Sequence, residues 1–147
     1  MSAAKAKGTK WETDLKRSLT AFFGGRFGLA PRRVAQEGFT DSGDIQGISP
    51  FVGQAKNYKS WEDAIRLGLD GAEKQKIHAG EPYGVAFIKR IRKPVGGGYA
   101  VMTVATWARV LLRLRRAESY LREASPYLYR KHSAECESDA EGDFPRG

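Results

Sequence analysis

The chain has 147 residues, 41% of them hydrophobic and 29% charged, with a net charge of +8. That size and balance predict a soluble globular domain able to bury its own core. A single cysteine, Cys136, excludes an internal disulfide framework and a cysteine-rich zinc site. Apolar runs fall short of the roughly 20 residues of a membrane helix. The opening "MSAAKAKGTK" lacks a signal-type apolar stretch, so the expectation is a cytoplasmic protein with no membrane partner.

In chain order, residues 1–9 read as a flexible basic arm. In "KWETDLKRSLTAFF" Trp11, Leu15, Leu19, Phe22 and Phe23 recur at helical spacing, and Gly24-Gly25 stops that helix. A short strand is expected over residues 32–37, then a turn at "DSG". A second strand, "DIQGI", turns at Ser49-Pro50 into a third, "FVGQAK". Ser60 is an expected N-cap for the next helix, with Glu62 and Asp63 in its first turn and Gly80 at its end. Trp61, Ala64, Ile65, Gly68 and Ala72 form its apolar face. "YGVAFIKR" reads as a central strand, "RIRKPVGGG" as a basic connection and "YAVMTV" as a fifth strand. A last helix is expected from about Thr106 to Glu123, with Trp107, Val110, Leu111, Leu114 and Leu121 inward. Residues 133–147 are polar and acidic and read as disordered. The order is α-βββ-α-β-β-α, an α/β fold with a mixed sheet flanked by helices. The organisation expected is a basic arm (1–9), one folded domain (10–132) and an acidic tail (133–147).

The charge is uneven. The tail holds Glu135, Glu137, Asp139, Glu141 and Asp143 against Arg146, a net −4, so the remaining residues carry +12. That excess points to a polyanionic partner, most simply nucleic acid. Lys10, Lys59, Lys89, Arg90, Arg92 and Lys93 are the expected phosphate contacts, the last four around a strand exit. Arg109, Arg113 and Arg116 share one face of the last helix, which serves equally as a solvated face.

Gln54 and Lys56 lie two apart at the end of a strand and so share a face. Asp44 opens the neighbouring strand, and Glu12 borders the buried stripe of the first helix. Carboxylates with carbonyl oxygens suit Mg²⁺, and a lysine beside them can hold a water or stabilise charge on a phosphate. Each residue also has a plainer reading. Asp44 could close a turn, with Asp41 its competitor for the metal role. Lys56 could snorkel, and Glu12 could be a solvated first-turn acid. Gln75 falls on the buried side of the second helix, where it either lines the site or hydrogen-bonds in the core. The tryptophans read as core.

The pattern Glu12, Gly43-Asp44 and Gln54-Ala55-Lys56 on an α-βββ-α-β frame resembles the PD-(D/E)xK nuclease superfamily, with its restriction-endonuclease-like core. Within it, "GTKWETDL", "GDIQG", "QAKNYKSW" and "FIKRIRKP" read like the successive blocks of small Holliday junction resolvases, including those encoded by bacteriophages. The resemblance covers roughly residues 8–115. It implies that Asp44 is the central metal ligand, Glu12 a second carboxylate, the Ala55 carbonyl a further ligand and Lys56 the residue that activates the attacking water. Gln54 departs from the commoner glutamate, although members resembling the Mrr group also carry glutamine. It implies Mg²⁺ as cofactor with Mn²⁺ as a substitute, branched DNA as substrate, a homodimer, and the host cytoplasm if a phage encodes it. The alternatives are a sequence-specific restriction-like nuclease and a non-catalytic DNA-binding module.

Overall fold

A computed structural model describes residues 3–34 and 45–146, apart from the side chains of residues 4–6. The chain divides into two compact units, Met1–Met102 with Phe144–Gly147, and Thr103–Asp143.

In the first unit, helix α1 spans Ala3–Phe23 and so begins well before residue 10. Residues 3–7 are alanine and lysine, both good helix formers, so the expected basic arm is part of the helix. Apolar periodicity, which starts at Trp11, does not register this stretch. Gly24 and Gly25 end the helix with φ of 58° and 72°, conformations that glycine adopts without a Cβ penalty. Arg26 donates back to the free carbonyls of Phe22 and Phe23 at 2.7 and 2.9 Å, satisfying acceptors that have no partner within the helix.

Five strands follow: β1 (Arg32–Arg33), β2 (Ile45–Ile48), β3 (Phe51–Lys56), β4 (Tyr83–Ile88) and β5 (Tyr99–Val101). They form one mixed sheet in sequence order, with β3 and β4 parallel and the other pairs antiparallel. The strand expected over 32–37 is paired only at Arg32 and Arg33. Val34 lies beyond that pairing, and residues 35–37, the "DSG" turn, Asp41 and Asp44 lie outside the described residues. Helix α2 (Trp61–Ala79) makes the crossover that a parallel pair requires. Ser60 caps it by accepting from the Asp63 amide at 3.3 Å, and Gly80 closes it at φ 68°. This is the α/β class the sequence predicts.

Register separates the two faces of the sheet. Gln54 pairs with Ala86, and Lys56 with Ile88; Ala86 and Ile88 pair in turn with Val101 and Tyr99. Laterally paired residues point to the same side, and Ala86, Ile88 and Val101 pack with Ala64, Ile65 and Leu69 of α2. The opposite face carries Ala55 and Phe87, packed with Trp11 and Leu15 of α1, and the Trp11 indole donates to the Phe87 carbonyl at 3.0 Å. Small residues bring α2 close to the sheet. A Cβ on Gly84 would lie 2.5 Å from the Ala72 carbonyl oxygen, an approach only glycine permits. Trp61 does not join the core as expected. It is the first residue of α2 and is 39% exposed.

The second unit consists of α3 (Val104–Ala124) and α4 (Pro126–Glu141). Thr103 caps α3, and Ser125 caps α4 by accepting from the Leu128 amide at 3.2 Å. Pro126 follows at N1, where its missing N–H costs nothing. The structure therefore differs from the disordered tail expected from residue 133, because the Ser-Pro start carries a helix through to Glu141. His132 Nε2 lies 2.8 Å from the Glu118 carboxylate. Arg122 donates to the Tyr129 hydroxyl at 2.7 Å, and this bond, with the guanidinium charge, lowers the phenol below its ordinary pKa. The residues expected to face inward from α3 are substantially exposed at Trp107, Leu111 and Leu114. No helix among the described residues is long and apolar enough to cross a membrane.

Candidate functional site

Gln54 and Lys56 do share a face, the one covered by α2. The Gln54 side chain lies against Gly71, where an added Cβ would stand 3.4 Å from its Cδ, and the residue is only 3% exposed. Among the described residues its Nε2 has no hydrogen-bond partner, nor does Oε1 of the equally buried Gln75. The Lys56 stem runs over Gly68, and its ammonium lies 5.7 Å from the Tyr58 ring centroid. The α2 crossover thus buries Gln54 and leaves Lys56 partly exposed at the strand end. Ala55, between them, faces α1.

Glu12 is committed elsewhere: its carboxylate accepts from Arg33 Nε at 3.1 Å. Asp44, the expected central ligand, lies outside the described residues. Among the described residues, no group of three or more His, Cys, Asp or Glu is placed to hold a metal ion. The donors on β3, the Gln54 amide and the Ala55 carbonyl, are oxygens of the kind Mg²⁺ prefers. Neither is charged, and the Glu12 carboxylate is held by a guanidinium. The described set is therefore not a complete Mg²⁺ site, and the reading needs the carboxylate of Asp44, the residue directly before β2.

A groove of about 710 Å³ lies beyond the C-terminal ends of β3 and β4. Lys7, Tyr58, Lys59, Ser60, Asp63 and Ile91 line it, two lysines against one carboxylate. Ligands of open α/β sheets characteristically bind outside the carboxyl ends of parallel strands. Of the expected phosphate contacts, Lys59 lines this groove, whereas Lys10 is paired with Asp14 at 2.7 Å. Lys89 lies 6.0 Å from the centroid of the Trp11 ring. Arg90 lies 4.7 Å from the Tyr99 centroid and donates to the Gly97 carbonyl at 3.3 Å. Arg92 adopts the left-handed conformation, φ 61°, in a turn closed by the Lys93 amide on the Arg90 carbonyl. Arg92 and Lys93 are exposed. Lys7 and Tyr58, which also line the groove, were not among the expected contacts. The alternation of aromatic and basic residues in "KNYKSW" was the available signal.

No protein-family model matches this chain, and neither a curated protein nor a solved structure does.

Proposed function

We propose that the chain is a Mg²⁺-dependent DNA endonuclease with a restriction-endonuclease-like core that cuts four-way junctions, as a Holliday junction resolvase does. The observation that carries this reading is Lys56. It ends the central parallel strand on the same face as Gln54, and that strand runs out into a groove lined by Lys7 and Lys59 as well as Asp63. Lys7 and Lys59 would hold a strand by its phosphates, a sequence-independent attraction. Lys56 would present its ammonium to charge developing on the scissile phosphate. Asp44 would supply the charge for Mg²⁺, with the Gln54 and Ala55 oxygens beside it; Mn²⁺ is the expected substitute.

One observation favours a second reading. Glu12 is neutralised by Arg33 and Gln54 is buried, which suits a DNA-binding module that does no chemistry. The two readings separate when wild type and Asp44→Asn are incubated with Mg²⁺ and a four-way junction, a linear duplex or single strands. The nuclease reading expects paired nicks in the junction from wild type, and none from Asp44→Asn despite unchanged junction binding. Binding without cleavage by wild type establishes the module. Cleavage confined to particular duplex sequences establishes a restriction-like enzyme.

A further inference from the structure

The register places a second chemistry beside Lys56. Lys56, Ile88 and Tyr99 lie side by side on β3, β4 and β5, so they project from one face of the sheet. Two inter-strand spacings put Tyr99 about 10 Å from Lys56. Tyr99 is an edge-strand residue, 40% exposed, and it meets Trp61 at 5.0 Å between ring centroids with the planes at 85°. Arg90 lies over the Tyr99 ring at 4.7 Å. In a perpendicular pair one ring presents its edge to the face of the other, so at least one face of the Trp61 indole stays uncovered by Tyr99. That indole stands at the N-terminus of α2, next to Ser60, which lines the groove of Lys7 and Lys59.

An apolar ring held half-exposed on a rigid helix start, backed by a second ring and a guanidinium, with Lys59 before it and the Glu62 and Asp63 carboxylates after it, has the rings and the cation of a base-stacking platform. A duplex hides the faces of its bases, so the platform requires an unpaired base. We propose that Trp61, supported by Tyr99 and Arg90, stacks on an unpaired nucleobase of a strand whose phosphates lie in the groove lined by Lys7 and Lys59. This rests on the nucleic-acid reading above and adds to it that strand separation, not only charge, is recognised.

The test is equilibrium binding in EDTA, so that no cleavage intervenes. The probes are a labelled oligo-dT strand and a blunt duplex of the same length, each against wild type, Trp61→Leu, Trp61→Phe, Tyr99→Leu and Lys59→Ala. Thermal melting verifies that each variant is folded. Leucine keeps an apolar side chain but cannot stack. Trp61→Leu is expected to lose about 5- to 150-fold in oligo-dT affinity, the range for one base–aromatic stack, with duplex affinity unchanged. Trp61→Phe should retain most of the single-strand affinity, Tyr99→Leu should give a smaller selective loss, and Lys59→Ala should weaken both probes alike. Unchanged oligo-dT affinity in Trp61→Leu, or an equal loss on both probes, overturns the inference. Quenching of tryptophan fluorescence by oligo-dT that is as large in Trp61→Phe as in wild type also counts against it. Junction cleavage is scored separately. Selective stacking without cleavage removes the nuclease reading alone, and cleavage without stacking removes this inference alone.

Discussion

Lys56 reaches the strand end because Gly68 offers no side chain beneath its stem. Truncating it should therefore disturb packing little while removing a positive charge from beside Tyr58 at the strand end. Lys56→Ala is expected to keep the wild-type melting temperature and to slow single-turnover junction cleavage by about 10²–10³, the usual effect of losing one group that stabilises transition-state charge. Wild-type turnover would leave Lys56 as a strand-end residue only. Gln54 gives a sharper test because it is buried with Nε2 unpartnered. A glutamate there would bury a carboxylate, which is costly unless it is paired. Gln54→Glu is expected to melt lower than wild type in EDTA and to recover in Mg²⁺, since a ligand that binds only the folded state stabilises it. If Mg²⁺ leaves the melting temperature of Gln54→Glu unmoved, Gln54 is not at the metal position. That Gln54 and Lys56 share a face was legible from the two-residue period of a strand. The depth of Gln54 was not, because it depends on how closely α2 packs on the strand at Gly71.

Helix ends were legible wherever a local side chain or glycine sets them: Ser60, Gly80 and Gly24-Gly25 are all in place. Boundaries set by propensity alone were not, and α1 starts at Ala3 because alanine and lysine extend it beyond its apolar stripe. Composition misled most at α4, where an acidic stretch was equated with disorder although Ser125-Pro126 is a start signal. Just beyond that helix, Phe144 belongs to the first unit. Its ring stacks on Phe22 at 4.9 Å and covers Gly96, so the tail carries an anchor that a count of charges does not reveal. Phe144→Ala is expected to lower the stability of the first unit by about 1 kcal/mol, the scale of one aromatic pair, as measured by urea denaturation. The matched control Asp143→Asn should be neutral, and an unchanged midpoint in Phe144→Ala would show that the contact contributes nothing in solution.

At the scale of the whole molecule, the adjacency of β2 and β3 followed from their short connection, whereas the places of β4 and β5 in the sheet did not. The division into two units did not, because an amphipathic helix reads the same whether it covers a sheet or another helix. On α3, Val104, Trp107, Leu111 and Leu114 recur at intervals of three and four residues, and all four are exposed to a substantial degree. Spacing of that kind is a helix-pairing seam. Leu112 lies off the seam but is also exposed. The proposed reaction supplies the partner: a four-way junction has two symmetry-related strands to cut, the chain offers one candidate site, and a two-fold dimer matches that symmetry. A second copy seated on the α3 seam is therefore the expected active species. Light scattering at micromolar concentration should give twice the chain mass. Leu111→Glu with Leu114→Glu should give the monomer mass with helical content unchanged, and should convert paired junction cuts into single nicks while leaving binding to short single strands intact. A wild-type monomer, with and without junction DNA, would remove the paired-cut mechanism. A variant that stays dimeric would move the interface away from α3, with the β5 edge as the next place to test.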